Sequence, residues 1–453
     1  MITAASVLFA VFFALLFRSL QLGSYNKMFR DAIESYTGYI QVQQRDFWEE
    51  KIVDNTFAYD EDVNREIMAD ANVVATVPRF ESFALASSGP MTKGVLVMGI
   101  DPDREAYLSN IPDRLVQYRL SSGALEEIKK DPHLPDKIKE LALLHEGYSY
   151  TSSSRLQLDL GIGDKEAATW MPSIERYTRF ENGFIEMGEP GVWVGDRLSE
   201  YLGLHIGDTL VLIGQGYHAT TAAGKYPIRG IVKLPLPDLD NKIVYLPLDI
   251  CQQLYNAPGN LTSLALHIAS NEDKVIQATV DRIEPFLPED QRVLEWREMN
   301  ELLVSQLEAD NYSGMIMIGI LYLVIAFGVF GTVLMLTAER RREFGVLVAI
   351  GMQKRKLASV MTMEMFFIGL LGILGGSVIA ILIILYGVDH PIVFKGEMAK
   401  MYEDFGMEAV MAFQGIDFYF IWQMIIVSLM VILSMIYPLR KIFGMKVVNA
   451  LRA

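Results

Sequence analysis

A chain of 453 residues that is 51% hydrophobic with a single cysteine is too apolar for an ordinary soluble protein, and Cys251 has no internal partner for a disulfide scaffold. The length allows two or three domains at about 150 residues each. The formal charge of −15 excludes a general polyanion binder, so no nucleic acid is expected as a partner.

The apolar residues are concentrated in four stretches: Ile2–Leu22, Met315–Thr337, Met365–Val388 and Phe418–Leu439. A helix needs about 20 apolar residues to cross a hydrocarbon core roughly 30 Å thick, and the last three stretches meet that length without a charge. The first is weaker. Its uncharged part ends at Phe17, and Arg18 must snorkel to an interface. A cleaved signal peptide is the rival reading. However, no Lys or Arg precedes the run and no small-residue cleavage pattern follows Arg18, so a true span is expected, with the start of the protein upstream of Met1.

Between the first two spans, Gly23–Ser313 carries 27 Lys and Arg against 46 Asp and Glu, a net charge of −19. Its pattern is mixed α and β. Gly94–Ile100 reads as a strand ending at Asp101-Pro102-Asp103. From Val192 a more regular stretch begins, in which Asp196 caps a short helix closed by Gly203, and a turn at Gly207–Asp208 leads into the strand Thr209–Ile213. Lys225–Lys233 and Lys242–Leu248 read as strands around the acidic turn Asp238–Asn241. A helix holding Cys251, Leu254 and Tyr255 follows, then the strand Ser263–Ile268. A capping box at Ser270–Asp273 opens a helix toward Ile283. Ser121–Arg179 is more helical and polar, in the manner of an insertion. In Glu295–Asn311, Trp296, Met299, Leu303 and Leu307 recur at three- and four-residue steps. This predicts one continuous stalk helix running into the second span.

Past the second span, Ala338–Lys356 carries Arg340, Arg341, Arg342, Lys354, Arg355 and Lys356, and the tail carries Arg440, Lys441, Lys446 and Arg452. The loop Asp389–Asp417 has only Lys395 and Lys400 against six acids. The positive-inside rule then places Ala338–Lys356, the tail and the N-terminus in the cytoplasm, and the acidic segment outside. Phe344, Leu347, Val348 and Ile350 give the basic loop an amphipathic helix lying along the inner interface and ended by Gly351. Glu364, just inside the third span, is expected to pair with Lys354, Arg355 or Lys356. Gly372, Gly376 and Ala380 put small residues on one face of that span, suited to close packing within the chain or against a second copy.

Chemical motifs do not emerge. There is no GxxxxGK[ST] loop, no HExxH and no GxSxG, and the six histidines are scattered. Asp101/Asp103 and Asp238/Asp240 invite a calcium reading, but turn formation beside Pro and Asn explains them without metal. No catalytic residue, bound cofactor or metal is expected in this chain.

The run ERRREFGVLVAIGMQKRKL resembles the signature of FtsX-like ABC permeases, and the tail Tyr437–Arg452 resembles that family's C-terminal segment. The stretch VGDRLSEYLGLHIGDTLVLI from Val194, with IRGIV from Ile228, resembles the periplasmic core of the macrolide-export and lipoprotein-release branches. The order of one span, a large ectodomain and three spans also matches, although the family's basic segment before the first span is missing. The resemblance implies an α-helical membrane protein with four transmembrane helices and a large mixed α/β extracytoplasmic domain between helices one and two. The implied division is 1–22, 23–294 (α/β domain), 295–313 (stalk), 314–337, 338–356 (coupling loop), 357–388, 389–417, 418–439 and 440–453.

The resemblance further implies a subunit of a bacterial inner membrane transporter with both termini cytoplasmic. Glu339, Arg340, Arg341, Arg342, Glu343, Phe344, Gly345, Leu347, Ala349, Ile350 and Gly351 would form the coupling helix that docks on a separate ABC ATPase subunit. ATP-Mg would be bound there and not by this chain, so the chain is not itself an enzyme. A second permease copy or paralogue, membrane lipid, and a lipoprotein or periplasmic partner complete the expected partners. Lipoprotein or lipid release, or export of amphipathic compounds, is the function so implied. Transmission of motion to a cell-wall hydrolase is the alternative, and a membrane-anchored adhesion protein would not need the coupling helix.

Overall fold

A computed structural model describes residues 2–394, 398, 401–402 and 409–444. Lys395 and Lys400, and Lys446 and Arg452 of the tail, lie outside the described residues. The chain divides into two compact units. One is 1–28, 302–394 and 410–453; the other is 29–301 with 395–409.

The first unit is a helical bundle. It contains most of α1 (Ile2–Ala32), followed later in the chain by α3 (Glu301–Glu339), α4 (Arg341–Ala349), α5 (Lys354–Asp389) and α6 (Phe418–Phe443). The short α2 (Trp296–Met299) precedes α3 and belongs to the other unit. The four long helices are apolar and long enough to cross a membrane, since a rise of 1.5 Å per residue lets ~20 residues cover the hydrocarbon core. Val7, Val11, Leu15, Val333, Met361, Val427 and Val431 form the bundle's interior. The small face of α5 packs against α1 within the same chain. A Cβ on Gly372 would stand 2.7 Å from Val7 Cβ, and one on Gly376 2.5 Å from the Leu8 carbonyl oxygen. Ala380 is fully buried in the same interior.

The second unit is built on a nine-stranded mixed sheet. Its strands are β1 (Ile40–Gln44), β2 (Val73–Ser88), β3 (Met91–Ile100), β4 (Val192–Gly195), β5 (Thr209–Gln215), β6 (Thr221–Val232), β7 (Ile243–Pro247), β8 (Ser263–Ile268) and β9 (Gln291–Glu295), in the order β9-β1-β8-β2-β3-β7-β4-β6-β5. Strand β2 is 16 residues long and pairs twice along one edge. Val73–Arg79 meet β8, and Ala84–Ser87 meet β5. The second pairing closes six strands, β2 to β5, into a barrel around Phe80, Val97, Val194, Leu212, Ile231 and Leu246. Residues 121–179 form the helical insertion expected from the sequence, with its own core of Leu125, Ile138, Leu156 and Ile174.

Local details correct the sequence reading. Gly203 closes its helix in the left-handed region at φ 64° as expected, but the helix begins after Gly195, and Asp196 does not cap it. The Asp196 carboxylate instead pairs with Arg119 and accepts from Ser149 at 2.9 Å, tying the insertion to the barrel. No side chain caps the helix Asp273–Ile283. The acidic turn is a short helix, Pro237–Asp240, whose last carboxylate is buried and accepts the backbone N–H groups of Leu234 (2.8 Å) and Arg197 (2.9 Å). Cys251 is buried over Gly99, where a Cβ would lie 2.5 Å from the cysteine Cβ.

Burial, and then the neighbouring Asp196 carboxylate, push Asp240 up to about 7 despite its backbone donors. A carboxyl that keeps its proton longer when folded than unfolded stabilises the fold most below its ordinary value, and that contribution is lost as pH rises through about 7. The melting temperature of the full chain's α/β domain should fall as pH rises from about 4 to about 7, and Asp240→Asn should flatten that slope in the same thermal scan. For the bundle, Gly376→Leu should cost about 1–3 kcal/mol through overpacking, read as a lower melting temperature in detergent.

Candidate functional site

Two places in the structure correspond to the coupling helix and the stalk expected from the sequence. The first is the hairpin of α3, α4 and α5. The long α3 ends at Glu339, and Arg340 leaves the helical region (φ −87°, ψ 2°). Nine residues then form α4, and Gly351 turns the chain at φ 108°, a conformation that side chains with a Cβ resist. The carbonyls of Leu347 and Val348 at the end of α4 are satisfied by the N–H groups of Met352 (3.0 Å) and Gly351 (3.1 Å). Gln353 then precedes α5.

The face that α4 buries is narrower than expected. Phe344 is 6% exposed and Gly345 is buried, with Val348 and Met352 partly covered near Leu357 and Ala358. Leu347 and Ile350, expected on the same apolar face, point away from the bundle and are 37% and 80% exposed, as is Val346 at 40%. The buried face is centred among Phe344, Gly345 and Val348, and the 100° step per residue puts Leu347 and Ile350 about 105° and 165° from that centre. The exposed side of α4 therefore carries apolar residues beside the exposed Arg342, Glu343 and Ala349. Glu339 ends α3, and Arg341 opens α4 half-exposed.

Glu364 pairs with Arg340, not with Lys354, Arg355 or Lys356. Arg340 Nη1 donates to both carboxylate oxygens at 2.6 Å. Lys354–Lys356 lie eight to ten residues earlier on α5, about 12–15 Å along the axis and beyond reach. The pair pins the end of α3 to α5, so Arg340 is already engaged within the chain while Arg342, Arg355 and Lys356 stay exposed.

The second place is the root of the α/β domain's two connections to the bundle. The expected continuous stalk helix is broken here. Strand β9 ends at Glu295, α2 makes one turn, and Asn300 (φ −118°, ψ 33°) interrupts the helix before α3 begins. Asn300 closes the turn with its backbone N–H on the Trp296 carbonyl at 3.0 Å. Its Nδ2 donates to the Trp296 carbonyl at 2.8 Å and to Thr37 Oγ1 at 3.1 Å. Trp296 stands edge-on to Phe29 with ring centroids 5.2 Å apart, and its N–H donates to the Tyr39 carbonyl at 2.8 Å. Met299 is buried beside them and Leu303 is half-buried on α3. Leu307 lies in α3, with its side chain outside the described residues.

The other connection ends in a π-helical turn, Ile33–Thr37, closed by Gly38 at φ 67°. Fully buried Arg79 of β2 donates to the Tyr36 carbonyl and, through its fork, to Glu105. Burial opposes the guanidinium charge, but Glu105 outweighs it and holds Arg79 above its usual range. Tyr36 donates its hydroxyl to Glu81 at 2.7 Å, and Lys51 lies 3.8 Å from the same carboxylate. Nothing in the local sequence marked this cluster, because Arg79, Glu81 and Glu105 look like surface residues of a strand and a turn until the barrel closes over them.

One carboxylate of each candidate calcium pair is engaged by the chain itself. Asp101 accepts the N–H groups of Asp103 and Arg104 as a helix cap, and Asp240 accepts those described above. Among the described residues no group of three His, Cys, Asp or Glu gathers as metal ligands.

Reversing Arg340→Glu should destabilise the bundle, and adding Glu364→Arg should recover much of the loss. The pair is 41% and 31% exposed, so screening limits its worth to about 1 kcal/mol in a double-mutant thermal comparison.

The family described as FtsX-like permease C-terminal matches residues 315–447, which hold the bundle from α3 to the end of α6. The lipoprotein-releasing system transmembrane protein LolC of Neisseria meningitidis is 22% identical over 206 residues, covering 43% of this chain and 48% of that protein. An uncharacterized ABC transporter permease of Methanocaldococcus jannaschii is 26% identical over 164 residues, 35% of this chain and 41% of the relative. The chain thus spans about half the length of the curated relatives it matches. The periplasmic region of MacB from Actinobacillus actinomycetemcomitans aligns with 60% of this chain and 94% of its own length, at a TM-score of 0.31 and 9% identity. Residues 315–447 thus carry an FtsX-like permease C-terminal domain.

Proposed function

We propose that the chain is the permease subunit of an ABC transporter in which a separate ATPase, binding ATP-Mg, docks on α4 and drives motion of the α/β domain. The observation that carries this reading is the exposed side of α4. Val346, Leu347 and Ile350 stand open beside Arg342, Arg355 and Lys356, in a helix held between two long apolar helices. A docking helix would present these apolar residues to a partner. One that served topology alone would not need them.

The Lys and Arg distribution supports a topology with α4 and both termini in the cytoplasm and the α/β domain outside. Glu364 is already neutralised by Arg340, and the last three spans carry few other ionisable groups. That supports a bundle that moves over one that conducts a polar solute through its centre. The work is done at the outer face, on a lipoprotein or another amphipathic lipid, the class suggested by the lipoprotein-releasing relatives. A second permease copy or paralogue packs against α3, the least covered of the four spans, where Ile316, Ile320, Val324 and Phe327 are more than half exposed.

The double substitution Leu347→Glu with Ile350→Glu should cut co-purification of the partner ATPase by about tenfold or more, as expected when an apolar docking core is broken, while the chain still inserts in the membrane. Unchanged ATPase recovery would refute the docking assignment.

A further inference from the structure

The bundle contains a cavity of about 560 Å³ between α1, α3 and α6, lined among others by Arg18, Ile318, Tyr322, Phe418, Trp422 and Gln423. Its polar groups are unusual for a membrane interior. Arg18 Nη1 donates to Gln21 Oε1 at 2.8 Å and Asn311 Oδ1 at 3.3 Å, both neutral, and among the described residues no carboxylate comes within ion-pair distance of it. The Tyr322 hydroxyl and Gln423 Oε1 are buried with no hydrogen-bond partner, and Gln423 is only 6% exposed. A charge and two polar groups left unmatched in a low-dielectric place are costly, so something should complete them. The rest of the lining is apolar, and Phe418 and Trp422 are 72% and 57% exposed, so the cavity opens sideways onto the bundle surface.

Its depth can be read along the helices. Tyr322 is 17 residues from Glu339, and Gln423 is 17 residues from Arg440. At 1.5 Å per residue both lie about 25 Å from the basic end of the bundle, near the far boundary of a ~30 Å hydrocarbon core. This is the level of the headgroups in the leaflet opposite α4.

We infer that this cavity is a binding site for one anionic phospholipid of that leaflet, its phosphate meeting Arg18 and Tyr322 and its acyl chain lying over Trp422 and Ile426. The phosphate supplies the missing counter-charge and an acceptor for the tyrosine hydroxyl. The Gln423 amide offers a donor or an acceptor to the glycerol region, according to its flip. A free phosphate would satisfy the charge and leave the apolar walls empty. A zwitterionic lipid would fill the walls but bring its own cation to the arginine. The inference needs only the membrane bundle, so it stands or falls apart from ATPase docking.

The test is native mass spectrometry of the full chain in detergent, titrated with phosphatidylglycerol, phosphatidylcholine or inorganic phosphate. One phosphatidylglycerol should bind preferentially, and Arg18→Gln should weaken it by about tenfold, the scale of one charge-assisted contact, while Arg18→Lys retains most of the binding. Tyr322→Phe with Trp422→Ala gives a second variant set that leaves the arginine in place and should also weaken the lipid. Equal binding of the two lipids, displacement by inorganic phosphate alone, or retention of phosphatidylglycerol by both variant sets would each overturn the assignment.

Discussion

The pairing of β1 with β9 is the constraint on which the geometry of the α/β domain's two connections depends. The two strands run antiparallel with Ile40 opposite Glu295, and β9 is the edge of the nine-stranded sheet. The chain entering the α/β domain and the chain leaving it are therefore held side by side at one edge, before either becomes a membrane helix. Thr37 and Asn300 add a hydrogen bond between the two passages, and Phe29 against Trp296 adds an aromatic contact. In the proposed mechanism, a relative shift of the two helices would load this small patch of backbone, and the strand pairing would pass that load to the domain.

Arg79 gives that patch its anchor in the barrel. Its guanidinium reaches the Tyr36 carbonyl from the centre of β2 and is neutralised by Glu105. A fully buried charge pair contributes little net stability compared with an apolar packing, but losing one partner costs about 3–5 kcal/mol. It ties the first passage strongly to one geometry, and that suits a lever better than a hydrophobic contact that can slide. At the other end, the Arg340–Glu364 pair joins the end of α3 to α5, and Gly372 and Gly376 seat α5 on α1.

Much of the architecture was legible because lipid and water impose coarse rules. The four spans followed from uninterrupted apolar length. The strands Thr209–Ile213, Lys225–Lys233 and Ser263–Ile268 followed from short apolar runs between turns, and the structure places strands over all three. The glycine face of α5 was visible as a pattern, but its occupant was not, since spacing alone does not separate α1 from a second copy. The stalk misled because Trp296, Met299, Leu303 and Leu307 keep a helical period across Asn300. The break falls where the Asn300 side chain reaches across to Thr37, a tertiary contact invisible in a local window. Long-range choices of the same kind hid the partner of Glu364, the buried Arg79 cluster and the Arg18 cavity. In each case the deciding neighbour lies far away in sequence.

Force entering at α4 and leaving through the stalk root is the central claim, and hydrogen–deuterium exchange on the complex with its ATPase, with and without a non-hydrolysable ATP analogue, measures it most directly. The account expects the nucleotide to change amide protection both in 341–351 and at the root, 33–38 with 296–301. A change confined to 341–351, with the root exchanging identically in both states, would contradict it.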